Sequence, residues 1–422
     1  MRIVVIGAGV VGVTAAWALR AAGAEVVVVE AREGPGLETS FANAGHLSRA
    51  AGPWAAPDVP GKLLRWIGRE DAPLLLRPRW DPALWRWGLR FLANCTATAY
   101  EENARALGTL ARLSVAETVR LREEFAIADE ANREGVLTLY RKAGDLARAE
   151  TMQARLARYG FAAELLDRPA MVEREPALAS VAERYAGALF AGDSETADCR
   201  AFTVALAAEA ERQGVSFRYR TRVAAVAIGG GRARGVELDG GEHLAADAVV
   251  LAAGPWSVHL AARTGLRLPI YPGRGYSVTV PISDRNGSPR HAVIDDDAKV
   301  YIARFGQRLR IAGTLEVAGF DASPSPARAA ALLDRLRWLF PEGGEYAQAE
   351  HWSGLRPMTP DGRPLIGHTP VPGLWLDTGH GPLGWTLACG SARLLASLMG
   401  GSSPPVDPAP FALSRFRRAA AL

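Results

Sequence analysis

At 422 residues, the chain is longer than a single hydrophobic core usually sustains, so two closely packed domains are expected. With 49% hydrophobic and 22% charged residues, it has the composition of a globular protein, which excludes the disordered and membrane-spanning classes. The net charge of +4 comes from 49 Lys and Arg dispersed among 45 Asp and Glu, without the clustered basic face of a nucleic-acid binder.

The opening MRIVVIGAG holds too short an apolar run for a signal-peptide core. Ile3–Ile6 reads as a buried parallel strand, Val10–Ala22 as a helix stopped by Gly23, and Glu25–Glu30 as a second strand, which together make a βαβ unit. Residues 51–100 break the pattern. Trp54, Trp66, Trp80, Trp85 and Trp87 stand there among short apolar runs interrupted by Arg, as in an insertion. The spacing of Leu107, Leu110, Leu113, Val119 and Leu121 predicts an amphipathic helix over 101–125, before a strand at Val136–Tyr140 and a helix at Asp145–Tyr159. A helix around Phe202–Gln213 leads into strands at Ser216–Tyr219, Val223–Ile228, Gly235–Leu238 and Asp247–Ala252. Strands at Gly275–Pro281, Lys299–Arg304 and Arg308–Thr314, with a helix at Pro326–Phe340, predict an antiparallel sheet under a covering helix. Glycine-rich loops at 361–367 and 379–384 precede the last helix, Trp385–Met399.

Cys95, Cys199 and Cys389 lie far apart with no CxxC, and the seven histidines show no ligand spacing, so neither a disulfide framework nor a metal site is expected. This usage fits a reducing cytoplasm. The Arg-rich stretch from Trp66 to Arg90 and the tail residues Arg415, Arg417 and Arg418 suit an anionic membrane surface at its inner face.

Gly7, Gly9 and Gly12 form a GxGxxG motif between the first strand and helix. The first glycine permits the tight turn, the second lets backbone approach a pyrophosphate, and the third lets the helix pack closely. Glu30 ends the second strand, where a carboxylate accepts hydrogen bonds from ribose hydroxyls and repels a 2′-phosphate. The motif alone leaves NAD and FAD open. Two later loops favour FAD: the small-residue run 39–46, and 379–386 ahead of a helix whose N-terminus suits charge on a reduced flavin.

The stretches VVIGAGVVGVTAAWAL, GLETSFANAG, GPWAAPDVPGK, GDSETADC, VVLAAGPWS, YPGRGYSVTVPI, GLRPMTPDGRPLIG and TGHGPLGWTLACGS run the length of the chain. With them it resembles the FAD-dependent D-amino acid oxidase and glycine oxidase family, within it the small-subunit type of D-amino acid dehydrogenase. One departure is His46, where the family is expected to carry Gln, and it bears on substrate selection.

The resemblance implies an α/β plus α+β fold. A Rossmann-like FAD-binding domain would comprise 1–50, 188–265 and 345–422, and a substrate domain on an antiparallel sheet would comprise 51–187 and 266–344. Within the latter, 51–100 would be a Trp-rich insertion suited to a membrane or subunit surface. Beyond Gly7, Gly9, Gly12 and Glu30, the expected cofactor contacts are Val11, Ala31, Arg32, Ser40, Asn43, Ala44, Gly45, His46, Leu47, Val223, Ala253, Gly254, Trp256, Gly379, His380, Gly381, Gly384, Trp385 and Thr386.

The family's carboxylate-binding arginine matches Arg356, whose planar fork suits a carboxylate. Tyr276, Tyr301, His46 and His380 are the further substrate-side candidates, none of them as a general base. The implied reaction is oxidation of a D-amino acid to an imino acid that hydrolyses to a 2-oxo acid and ammonia, with electrons passed to a quinone. An oxygen-using oxidase of glycine, sarcosine or a cyclic imino acid such as D-proline is the alternative. A flavin-bound interaction protein without turnover is the more distant one.

Overall fold

The computed structural model describes residues 1–66, 72–77, 79–158 and 160–416. Arg417 and Arg418 of the basic tail, Tyr159 of a predicted helix end and 67–71 of the Arg-rich stretch lie outside them.

Two large sheets carry the architecture. The six-stranded sheet has the order Leu365–His368, Leu374–Thr378, Ala248–Leu251, Arg2–Ile6, Glu25–Val29, Ser216–Arg218 among the described residues. Its strands are parallel except the antiparallel edge Leu365–His368. Ile3–Ile6 is buried on both faces, as a parallel strand covered on both sides must be.

Helix Val10–Ala21 packs against the C-terminal helix Gly384–Gly400, which in turn packs on Ala97–Phe125. Small residues allow these close approaches. A Cβ on Gly390 would stand 2.8 Å from the Leu110 carbonyl oxygen, so the two backbones touch where it lies.

The second sheet has the order Glu350–Met358, Tyr271–Pro281, Arg308–Val317, Val300–Phe305, Ala292–Asp295, Val136–Tyr140, Gly187–Ala191, Glu164–Asp167, with Leu74–Leu76 added alongside Arg308–Val317. One face is covered by helix Pro326–Leu339, where Leu332, Leu336 and Leu339 join Tyr276, Val278 and Val280 in one core. The other faces the nucleotide-binding half: Ser277 Oγ donates to the Ala42 carbonyl at 2.7 Å, and Arg310 Nη1 to the Asn43 carbonyl at 3.1 Å.

The expected domain boundaries at 188 and 345 are corrected by strand pairing. Gly187–Ala191 and Glu350–Met358 are hydrogen-bonded into the second sheet. Helix Ala97–Phe125, expected with the substrate domain, sets Leu107, Leu110, Ala111 and Leu121 into the core around the first sheet.

The Trp-rich segment divides by helical face. In Pro82–Ala93, capped by Asp81, Trp87 stacks on Phe91 at 5.1 Å and its Nε1 donates to the Met358 carbonyl at 2.8 Å. Trp85, Leu89 and Leu92 point outward, and Trp80 just before the helix is 96% exposed.

Candidate functional site

A cavity of about 670 Å³ opens beyond the carboxyl ends of the parallel strands, the place where ligands bind in open α/β sheets. It runs past the first βα turn at Gly7, Gly9 and Val10, and its lining includes Glu30 and Arg32 as well as Arg356 and His380.

The turn is built by its glycines. Gly7 adopts φ 106, and a Cβ there would meet the Ala252 carbonyl oxygen at 2.7 Å. A Cβ on Gly12 would fall on the Gly7 carbonyl. Gly9 differs, because a Cβ there would touch only Ser40 Oγ, at 3.5 Å. The space beside Gly9 is therefore open, and Gly9 lines the cavity.

The helix that follows has no side-chain cap. Its first amide, Val10 N, donates instead to Ser40 Oγ at 3.0 Å, which ties the 39–46 loop to the turn. Glu30 receives Ala8 N at 2.7 Å on one carboxylate oxygen and Arg32 N at 2.8 Å on the other. Held by two amides, the carboxylate keeps lone pairs for a further donor.

Of the expected cofactor contacts, Gly7, Gly9, Val11, Glu30, Ala31, Arg32, Ser40, Asn43, Val223, Ala253, Gly254, Trp256, His380, Gly381, Gly384 and Trp385 line this cavity. Gly12, Ala44, Gly45, His46, Leu47, Gly379 and Thr386 are not part of its lining. Several of these brace it: Trp385 Nε1 donates to the Gly45 carbonyl at 3.2 Å and Thr386 Oγ1 to the His46 carbonyl at 3.0 Å.

Arg356 lines the cavity near the end of the Glu350–Met358 strand. Its Nη1 donates to the Thr314 carbonyl at 3.0 Å, and no carboxylate pairs with it among the described residues. Desolvation lowers its pKa to about 10. A guanidinium that lines a cavity without an acid partner among the described residues has donors free for an external anion.

Near it, His380 Nε2 lies 2.9 Å from Ser391 Oγ and 3.4 Å from Asp377 Oδ1. Burial pushes His380 down to about 3 and raises Asp377 well above the carboxylate range. His46 is stacked on Tyr301 with ring centroids 4.8 Å apart, and burial lowers it to about 4. The Tyr301 hydroxyl is 2.5 Å from Thr196 Oγ1.

Tyr276 requires a correction. Successive strand residues point to opposite faces, and Tyr276 shares its face with Val278 and Val280 against the Pro326–Leu339 helix. Its hydroxyl donates to the buried Glu316 carboxylate, which also accepts from Arg77 at 2.8 Å. It is a core tyrosine and not a group beside the Arg356 guanidinium.

Sequence reasoning missed Asp377, Thr221, Arg222 and Asp239 on the cavity wall. Asp377 had a readable signal, as a carboxylate in an apolar strand one residue before the TGHG loop. The other three flank the ends of the Val223–Gly229 and Arg232–Leu238 strand pair, which only the tertiary fold brings close.

A family model for FAD dependent oxidoreductases, DAO, matches residues 2–398. A D-amino acid dehydrogenase of Paramagnetospirillum magneticum is 47% identical over 419 residues, with 99% of each chain covered. Another, from Rhizorhabdus wittichii, is 44% identical over 417 residues, covering 99% of this chain and 100% of that one. The crystal structure of glycine oxidase from Geobacillus kaustophilus superposes with a TM-score of 0.75 at 26% identity, covering 98% of this chain and 99% of that one.

Proposed function

The chain belongs to the DAO family of FAD-dependent oxidoreductases, and from that premise we propose that it oxidises D-amino acids to 2-oxo acids and ammonia, passing the electrons to a quinone. The observation that carries the substrate class is Arg356, a cation on the cavity wall with no carboxylate to neutralise it among the described residues. The D-amino acid dehydrogenases similar to it over their full length support the D-amino acid as substrate.

The cavity suits the cofactor. Open space beside Gly9 admits a pyrophosphate, Glu30 meets ribose hydroxyls, and 670 Å³ is within the range of cofactor sites. Bound FAD supplies the two-electron acceptor that takes the Cα hydride.

The protein's share is orientation. Arg356 takes the substrate carboxylate in its donor fork and so sets where Cα lies. His46 and His380, with pKa values of about 4 and about 3, are far too weak as bases to draw a proton from an ammonium. Neither imidazole is then suited to act as general base, which supports a substrate that reacts with its amine neutral. The rise of kcat/KM with pH then follows the substrate amine, and His46→Gln should leave its midpoint in place; a shifted midpoint would assign the proton to the imidazole.

Glu30→Ala should weaken FAD retention by about 10- to 150-fold, the equivalent of the roughly 1.5–3 kcal/mol of a hydrogen bond to a charged acceptor. Equilibrium dialysis of the flavin measures it.

No helix among the described residues is long and apolar enough to cross a membrane. The outward stripe of Trp85, Leu89 and Leu92 with Trp80 beside it, flanked by exposed Arg86 and Arg90, supports a peripheral contact with an anionic lipid surface. Replacing Trp85 and Leu89 together by Ser should reduce sedimentation with phosphatidylglycerol vesicles without changing flavin content. Undiminished sedimentation would remove that helix from the contact.

The acceptor is tested by rapid mixing of substrate-reduced protein with a soluble ubiquinone analogue or with air-saturated buffer. Fast re-oxidation by the quinone and slow peroxide release by oxygen is the expected result. The reverse order would make the protein an oxidase.

A further inference from the structure

Arg356 lies directly over a glycine. A Cβ on Gly275 would fall within the guanidinium, overlapping Cζ and both terminal nitrogens. Gly275 is in the Tyr271–Pro281 strand, where the pairing with Arg308–Val317 is irregular. Arg274 opposes Glu316 while Tyr276 opposes Gly313, so Thr314 and Leu315 together face the single residue Gly275. This two-against-one count is a β-bulge, a feature that re-aims groups beside functional sites.

The bulge residue is unusual in three ways. Thr314 adopts φ 57, a region where a β-branched residue is an outlier. Its carbonyl leaves the ladder and accepts Arg356 Nη1 at 3.0 Å. Its hydroxyl is buried without a partner among the described residues. Strain of this kind persists only where the surroundings impose it, and such sites cluster at ligand clamps.

We propose that Gly275 and Thr314 are positioning residues that together form a seat for the Arg356 guanidinium. The glycine supplies the room for the planar group. The bulged threonine supplies a neutral main-chain acceptor where many buried arginines have a carboxylate. One N–H is thereby fixed, the side chain is held in one orientation, and its full positive charge stays available to the substrate carboxylate. A carboxylate in the same place would orient the group equally well but would compete with the substrate. This inference rests on the reading of Arg356 as the carboxylate-binding residue.

The test uses the FAD-loaded protein, with propionate as a carboxylate probe that has no amine to oxidise. Gly275→Ala should displace the guanidinium, raising both KM and the propionate dissociation constant by about 10- to 100-fold, the scale of a misplacement near 1 Å. KM should rise more than kcat falls, and flavin content should not change. On an Arg356→Lys background the same substitution should have little effect, because an ammonium on a flexible stem does not fill the space over residue 275.

An undiminished effect on that background, or unchanged constants in Gly275→Ala alone, overturns the seat. If Arg356→Ala also binds propionate normally, the carboxylate reading itself fails, which separates the two claims. Should Gly275→Ala yield no flavoprotein, Thr314→Gly and Thr314→Val decide the matter. Glycine tolerates the left-handed backbone that holds the carbonyl under the guanidinium, whereas valine favours extended backbone, so both constants should be higher in Thr314→Val than in Thr314→Gly. Equal constants in the two variants overturn the proposal.

Discussion

Arg356→Ala is expected to lower kcat/KM for D-amino acids by roughly 30- to 5000-fold while leaving FAD bound. Truncating one partner of a buried, hydrogen-bonded charge pair costs about 2–5 kcal/mol, and each 1.36 kcal/mol is tenfold in rate. The loss should be large here because the guanidinium has no carboxylate among the described residues to share its charge with, so most of its interaction is reserved for the ligand. Flavin should stay, because the groups at the first βα turn and at Glu30 do not involve Arg356. Steady-state kinetics on the purified flavoprotein measure the effect, and near-normal kcat/KM at low substrate would remove Arg356 from the substrate site. Arg356→Lys should retain charge but lose the fork, and fall between the two.

The second large effect concerns the turn that carries the cofactor, where neighbouring glycines should fail for different reasons. Gly12→Val drives a side chain into the Gly7 carbonyl, and Gly7 is itself pinned at φ 106 against Ala252. Neither partner can yield without moving a strand of the central sheet. Overpacking of this kind typically costs about 1–3 kcal/mol or more, a large share of the roughly 5–15 kcal/mol that holds a native protein together. The expected product is a less stable, colourless protein.

Gly9→Val places its side chain in open space, where only Ser40 Oγ stands near. It should fold with a normal melting temperature and still lack visible flavin absorbance. Thermal unfolding followed by circular dichroism, set beside the flavin spectrum, separates the two. Equal flavin content in wild type and Gly9→Val would show that no pyrophosphate passes there.

The βαβ unit was legible because Gly7 and Gly12 answer local steric demands, Gly9 leaves its side of the turn open, and the acid follows at the end of the next strand. Arg356 was legible through resemblance of its GLRPMTPDGRP segment rather than through any physical property of an isolated arginine. Tyr276 was misread because its face depends on which residues Tyr271–Pro281 pairs with. The bulge at Thr314, which makes the opposite face a seat for the guanidinium, leaves no mark in local composition.

The same limit explains Gly187–Ala191 and Glu350–Met358. Neither is marked by its local sequence, and only long-range hydrogen bonding assigns it to the second sheet. Trp85 and Trp87 make the contrast at close range. They are two residues apart on one helix, one exposed and one anchored to the Met358 carbonyl, and composition alone could not separate them.

The proposed transfer of a hydride to the flavin from the Cα of D-amino acids held by their carboxylate is measured by anaerobic titration of the bound flavin with D- and L-alanine and a wider panel of amino acid enantiomers, followed by visible absorbance. Bleaching by D-amino acids, none by their L-enantiomers, and loss of bleaching at low substrate in Arg356→Ala are expected. Flavin that stays oxidised with every D-amino acid, or bleaches equally with both enantiomers, would contradict that transfer.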